Sequence, residues 1–326
     1  MTNQITAQAA LPAPQIKMSE PSDVIALVPY LLGFHPTDSL VVLVLAEGQV
    51  RLTSRVDLAA CFQPDYLAAM AEMLKQRCPD SEFLLVAYSE DRQLADDALG
   101  LAEIAFDADL IIESIAADGE RFWSRGCVDS ACCPSAGSPY PSSNAPILAE
   151  AIGAGLAALA SRDQLEAQVR ALSSDELQAA ELEVQRARSK LLDMSLTQRC
   201  QLLDDLICDA TSSELERHRL VLLGLLVQEV RLRDRAWLRM ERDSAQQLVR
   251  LWTAVVRELP DQEVLPALCL AGMAAWLSGN GALQVACIVR GKQLDANYSM
   301  LHLVEALNLT AADPQVWDQM AELKVA

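Results

Sequence analysis

The sequence predicts an α/β domain with a mixed sheet, followed by an all-α domain with helical-repeat-like helix pairs. Three observations carry this. Residues 40–45 form an unbroken apolar run, Leu-Val-Val-Leu-Val-Leu, long enough for a strand and too short for a membrane span. Strand and helix patterns alternate as far as residue 126, and beyond residue 162 no strand pattern survives. The chain is 52% hydrophobic but only 5% aromatic, so its core is Leu, Ala and Val, a composition that favours helix.

Residues 1–14 are polar and aperiodic and read as a disordered lead-in; residues 15–18 suggest a short first strand. A helix over 22–32 is expected, capped by Ser22 or Asp23 and ended by Gly33. Pro29 inside it predicts a kink or a late start. The run 40–45 is apolar on both faces, which places its strand mid-sheet. Residues 50–58 alternate, with Val50, Leu52, Ser54, Val56 and Leu58 on one face and Arg51, Thr53, Arg55 and Asp57 on the other. That strand is a hairpin partner across Glu47-Gly48. A helix over 65–77, a strand over 82–88, a helix over 91–106 and strands over 108–115 and 121–125 complete residues 15–126. Residues 127–144 carry Cys127, Cys132, Cys133 and several prolines, and predict a loop without regular structure.

Residues 145–326 predict the helical domain: helices over 145–160, 162–172, 174–192 with a Ser174 cap, and 196–208, a long one from 213 to about 242, then 244–257, 260–278, 281–291, 299–307 and 314–323. Asn280-Gly281 and Asp313-Pro314 punctuate the last of them.

Charge excludes several functions. The net charge is −19, and residues 1–135 hold 8 Lys+Arg against 20 Asp+Glu, a net of −12. Such a surface disfavours nucleic acid and anionic lipid. No leader or membrane-spanning stretch is read. Nine scattered cysteines, several inside helical patterns, fit a reducing cytoplasm.

The long motif Val28-Pro-Tyr-Leu-Leu-Gly33-Phe-His35-Pro36-Thr-Asp38-Ser39-Leu-Val-Val-Leu is followed by Arg55-Val-Asp57-Leu and by Cys127 with Ala131-Cys132-Cys133-Pro134. Val230-Arg-Leu-Arg233-Asp234 and Ala274-Ala-Trp276-Leu-Ser-Gly279-Asn-Gly281 come later. Together they resemble the actinobacterial family called domain-of-unknown-function 4192. The resemblance implies a cytoplasmic protein of a high-GC Gram-positive organism and implies no activity. Ser135-Ala-Gly-Ser-Pro139 stands where that family's pattern leads one to expect Pro-Glu-Gly-x-Pro.

The candidate site is the turn before the central strand. His35, Asp38 and Ser39 share it: His35 as base or ligand, Asp38 as its orienter, or all three as a structural turn. Arg55 and Asp57 hold an anion or pair with each other. The turn stands at the amino end of its strand, whereas open α/β sheets take ligands at carboxyl ends. Cys127, Cys132 and Cys133, with His35, are the candidate zinc ligands, but one Cys-x4-Cys-Cys group lacks the paired knuckles of a tetrahedral site. In the helical part, Arg231, Arg235, Arg239 and Arg242 recur at helical spacing, a solvated ion-paired face or a contact for an acidic partner. Arg233 falls on the apolar side with a carboxylate partner expected. No phosphate-loop, dinucleotide, nucleophile-elbow or zinc-protease motif is present, and the chain has three histidines.

The first reading is therefore a non-enzymatic binding or assembly protein without a cofactor, whose α/β head meets a ligand through His35, Asp38, Ser39 and Arg55. Its helical tail contacts a protein partner or a second copy. A hydrolase built on His35, Asp38, Arg55, Asp57 and the cysteine loop is the alternative. A weaker one is nucleic-acid binding through the helical arginines.

Overall fold

The computed structural model describes residue 18 and residues 20–127, 133–140, 146–153 and 156–318. The chain divides into two compact units between Ala158 and Leu159.

The first unit opens with helix α1 (Pro21–Leu32). Its first residue is Pro21, which has no N–H to leave unpaired there, so the helix starts at the proline and Glu20, not Ser22 or Asp23, stands at the cap. Gly33, at φ 82°, ends it in the left-handed conformation. The helix runs through Pro29 in one piece. A proline at position 29 cannot bond the carbonyl of Ile25, four residues back. That carbonyl accepts the buried Tyr88 hydroxyl instead, at 3.2 Å. The interior proline thus becomes a docking point between α1 and the sheet.

Then follow β1 (Ser39–Ala46), β2 (Gln49–Asp57), the short α2 (Leu58–Cys61), α3 (Tyr66–Arg77), β3 (Glu82–Tyr88), α4 (Arg92–Ala105), β4 (Ile111–Ala117), β5 (Arg121–Ser124), β6 (Ser138–Pro139) and α5 (Pro146–Gly153). The sheet order is β2-β1-β3-β4-β5-β6. Only β3 and β4 pair in parallel, joined through α4; the other pairs are antiparallel. The mixed sheet is as predicted. Strand β1 has neighbours on both sides, and Leu40, Val41, Val42, Leu43 and Val44 are all fully buried. One face, with Leu40, Val42, Val44, Phe83, Leu85 and Ala87, packs under α2, α3 and α4. A separate cluster joins Ala26 and Leu27 of α1 to Ile147, Leu148 and Ala151 of α5.

Several expectations need correction. A β-bulge pairs Val44 with Leu52 but Leu45 with Val50, so Val50 and Leu52 lie on opposite faces. The stretch 127–144 is not wholly irregular, because β6 pairs with β5. Arg121 donates to the carbonyls of Ala136 and Gly137, and the Trp123 indole N–H donates to that of Ser135, laying this segment along the strand. Gly137 is required there: at φ 77°, a Cβ would stand 2.5 Å from the Trp123 ring. Of the strand expected over 15–18, residues 15–17 lie outside the described residues, and Met18 packs on the α1–α5 cluster. Because α5 packs on α1, the division falls later than the boundary expected after residue 144.

The second unit is helical: α6 (Arg162–Ala167), α7 (Ser174–Leu192), α8 (Leu196–Ser212), α9 (Arg217–Leu226), α10 (Val230–Leu238), α11 (Ala245–Val256), α12 (Asp261–Leu277), α13 (Gly281–Asp295) and α14 (Ser299–Leu309). Ser173 and Ser195 form capping boxes with Glu176 and Gln198, so the cap of α7 is Ser173 and not Ser174. The single helix expected over 213–242 is two. The Gln228 side chain, between α9 and α10, donates to the carbonyls of Gly224 and Glu263 and ties the break to α12. The last expected helix, 314–323, lies partly outside the described residues.

Helix α12 is buried on nearly all sides, from Val264 to Leu277 with Leu265 as the exception, which makes it the axis of the unit. It packs against α11, α13 and α14. At Gly272 the helices approach so closely that a Cβ would stand 2.9 Å from Val304 of α14 and 3.3 Å from Cys287 of α13. Helix propensity alone would favour alanine at this position by about 1 kcal/mol. Overpacking a three-helix contact costs about 1–3 kcal/mol and wins. Gly272→Ala is therefore expected to lower the urea midpoint followed by tryptophan fluorescence, four of the five tryptophans lying in this unit.

Candidate functional site

The strand directions move the His35 turn to the other end of the sheet from the one expected. Strand β1 runs antiparallel to β3, so Ser39 is paired with Tyr88, and Tyr88 in turn with Ala117 of β4. Ser39 also faces Asp57, the last residue of β2. The amino end of β1 therefore stands among the carboxyl ends of β2, β3 and β4, where open α/β sheets hold ligands.

At this rim the polar side chains bond mainly to one another. Asp38 takes a left-handed backbone, φ 41°, a conformation that Asp tolerates better than most residues. Its carboxylate accepts the Ser89 hydroxyl at 2.6 Å, and its carbonyl accepts the amide of Leu58 at 2.8 Å. Ser89 Oγ accepts the amide of Asp91, whose carboxylate caps α4 through the amides of Gln93 and Leu94. One chain of bonds thus links the loop before β1, the end of β3 and the start of α4.

A second set lies on the other side of the strand end. Ser39 is fully buried; its hydroxyl donates to the Thr37 carbonyl at 2.6 Å and accepts Arg55 Nε at 2.8 Å. Arg55 pairs with Asp57 at 2.6 Å. The period-2 spacing of Arg55 and Asp57 gives this ion pair directly. Arg55 is 14% exposed, and Asp57 60%, so the pair lies at the edge of solvent.

His35 stands apart. Its ring is largely exposed, and partial desolvation lowers its pKa from the ordinary histidine value. Among the described residues it has no hydrogen-bond partner, so no carboxylate orients it as a general base.

The cysteine loop is elsewhere. Cys127 and Cys133 are partly buried, and Cys132 lies outside the described residues. Among the described residues no cluster of His, Cys, Asp and Glu is arranged for a metal ion. Cys133 lines a hollow of 190 Å³ with Arg92, Trp123, Ser124, Ser135 and Ser138, and Arg92 stacks on the Trp123 ring at 4.3 Å. None of His35, Asp38, Ser39, Arg55 or Asp57 lines that hollow. From Ser39 to Phe122 is three strand spacings across the sheet, about 14 Å.

The helical arginines do not form one face, because α10 ends at Leu238 and Arg242 falls in a separate 3-10 turn. Arg235 and Arg239 share Asp204 of α8, and together they hold its carboxyl below the usual range. Arg242 pairs with Asp318. Arg233 is nearly buried, as expected, bonded to Asp234 and to the Tyr298 hydroxyl.

Sequence reasoning missed Ser89. The signal available was its place, directly after an apolar strand and two residues before an Asp cap, the position of a β-to-α turn.

The fold and its rim define a two-unit protein, an α/β unit with a self-bonded polar edge and a separate all-helical unit. Over residues 21–315 the chain matches the model of the family described as "Domain of unknown function (DUF4192)", and it belongs to that family. No curated protein and no solved structure matches it.

Asp38→Ala is expected to destabilise the α/β unit by about 1–2 kcal/mol, through the lost charged hydrogen bond and the left-handed alanine it leaves. In a double-mutant cycle with Ser89→Ala under urea, a coupling of about 1 kcal/mol is expected between the two sites.

Proposed function

We propose that this protein is a non-enzymatic binding or assembly protein, acting in the cytoplasm of a high-GC Gram-positive bacterium. The observation that carries the reading is the saturation of the rim. Ser39, Arg55 and Asp57 bond one another, Asp38 holds Ser89, and among the described residues His35 has no carboxylate to orient it. A hydrolase needs a base held by an orienting group and a nucleophile within its reach. The rim instead suits recognition: exposed His35 and Asp38 meet a ligand, with Ser39 and Arg55 behind them as a rigid backing. The reading assigns no zinc and no other cofactor.

The helical unit carries the protein contact in this reading. Arg199 of α8 donates to the Leu191 carbonyl and pairs with Glu229, drawing together the end of α7, the start of α8 and the start of α10. Leu192, Leu196 and Val230 flank these bonds at 76%, 40% and 56% exposure, an apolar corner suited to a second copy of the chain. Arg233, Arg235 and Arg239 already hold carboxylates, which argues against nucleic acid. No helix among the described residues is long and apolar enough to cross a membrane.

Sedimentation equilibrium of the purified chain tests the reading. Concentration-dependent self-association, abolished in Leu192→Lys/Val230→Lys, is the expected result. A chain that stays monomeric while hydrolysing ester, phosphoester or peptide substrates, with turnover lost in His35→Ala, contradicts it.

A further inference from the structure

We propose that the helical unit contains an oxyanion-binding groove, for a small ligand bearing a carboxylate or phosphate, formed by Arg170, Arg217 and Arg257. The inference goes beyond the assembly reading and stands independently of it. Three separate segments build the groove: the connection between α6 and α7, the first residue of α9 and the end of α11. Its volume is 290 Å³, the size of a small-molecule site rather than of a protein contact, and Leu220 contributes to an apolar floor.

Charge is the argument. Two carboxylates line the groove with the three guanidinium groups, and each already has a partner. Arg170 binds Glu176 through two nitrogens, at 2.9 and 2.7 Å, and holds that carboxyl at about 2, so the pair stays ionised at neutral pH. Arg217 pairs with Glu258 at 2.7 Å. Arg257 is exposed, and among the described residues its guanidinium has no carboxylate partner. The lining therefore carries one uncompensated positive charge in a chain of net charge −19.

Most described arginines of the unit are paired; Arg231 and Arg250 also have no carboxylate partner among the described residues, but of these three only Arg257 lines the groove. Arg162, Arg186, Arg188, Arg219, Arg235 and Arg290 each hold a carboxylate. With 45 Asp+Glu against 26 Lys+Arg, acids to pair with are plentiful, yet among the described residues Arg257 is left without one beside two further arginines. A guanidinium offers a planar fork of N–H donors that matches carboxylate and phosphate oxygens two at a time. An oxyanion held by Arg257 would be flanked by Arg170 and Arg217, which are already fixed in place by their glutamates, while a short apolar body covers Leu220.

The test is calorimetric titration of the full chain at low ionic strength, with inorganic pyrophosphate in one arm and citrate in the other. The arm that binds tells a phosphate ligand from a carboxylate one. At least one arm is expected to bind one-to-one, with affinity reduced about tenfold or more in Arg257→Gln. Arg257 is exposed and holds no ion pair among the described residues, so this variant keeps its fold. Arg250→Gln, which removes another exposed arginine of α11 away from the groove, is expected to bind as the unchanged chain does. Absence of binding by either anion up to about 10 mM overturns the proposal. An equal loss in Arg250→Gln and Arg257→Gln also overturns it, since the groove would then add nothing to general surface charge.

Discussion

A single vacant carbonyl sets the geometry of the α/β unit. Pro29 has no N–H to give Ile25, and a buried, unpaired peptide carbonyl costs about 1–3 kcal/mol. The Tyr88 hydroxyl fills that vacancy from the last residue of β3. A proline that would ordinarily weaken a helix here fixes where the helix docks. The chain leaves α1 at Gly33 and re-enters the sheet at Ser39, so the position of α1 limits where the intervening turn can stand. That turn reaches Ser89, the residue after Tyr88, through Asp38. Two consecutive residues, Tyr88 and Ser89, thus hold α1 at Ile25 and the turn before β1 at Asp38.

Burial of β1 supplies the second constraint. A strand covered on both faces and paired on both edges offers no polar group to solvent except at its ends. The polar residues of the motif therefore gather at one end, and there they satisfy each other: Ser39 with Thr37 and Arg55, Arg55 with Asp57, Asp38 with Ser89. Chemistry requires a group whose proton or lone pair is free to be exchanged with a substrate. Among the described residues the rim holds few such groups, so its residues read as fasteners. In the helical unit the same principle works in reverse. Most described arginines there are consumed by carboxylates, and among the few that are not, Arg257 stands beside Arg170 and Arg217.

Much of the fold was legible because its signals are local. The apolar run at 40–45 gives a doubly covered strand, and the period of Arg55 and Asp57 gives their ion pair. What was not legible depends on partners distant in the chain. The direction of β1 against β3 is invisible in either strand alone, and it alone decides that the His35 turn lies among strand carboxyl ends, where open α/β sheets hold ligands. The reason for Pro29 lies 59 residues later at Tyr88, and the reason for the break between α9 and α10 lies in the Glu263 carbonyl that Gln228 meets. The bulge that separates Val50 from Leu52 likewise exists only in the pairing. Of the candidate site, the residues of the motif were visible and Ser89 was not, since a lone serine after a strand acquires meaning only from the aspartate it meets.

The most direct measurement is a double-mutant cycle on Pro29 and Tyr88 followed by urea denaturation. Tyr88→Phe is predicted to cost about 1–3 kcal/mol in the unchanged chain, because it leaves the Ile25 carbonyl unpaired. In the Pro29→Ala background residue 29 regains an N–H for that carbonyl, and the same Tyr88→Phe change is predicted to cost at least about 1 kcal/mol less. An equal cost in both backgrounds would contradict the account, since the hydroxyl would then be indifferent to the vacancy the proline creates.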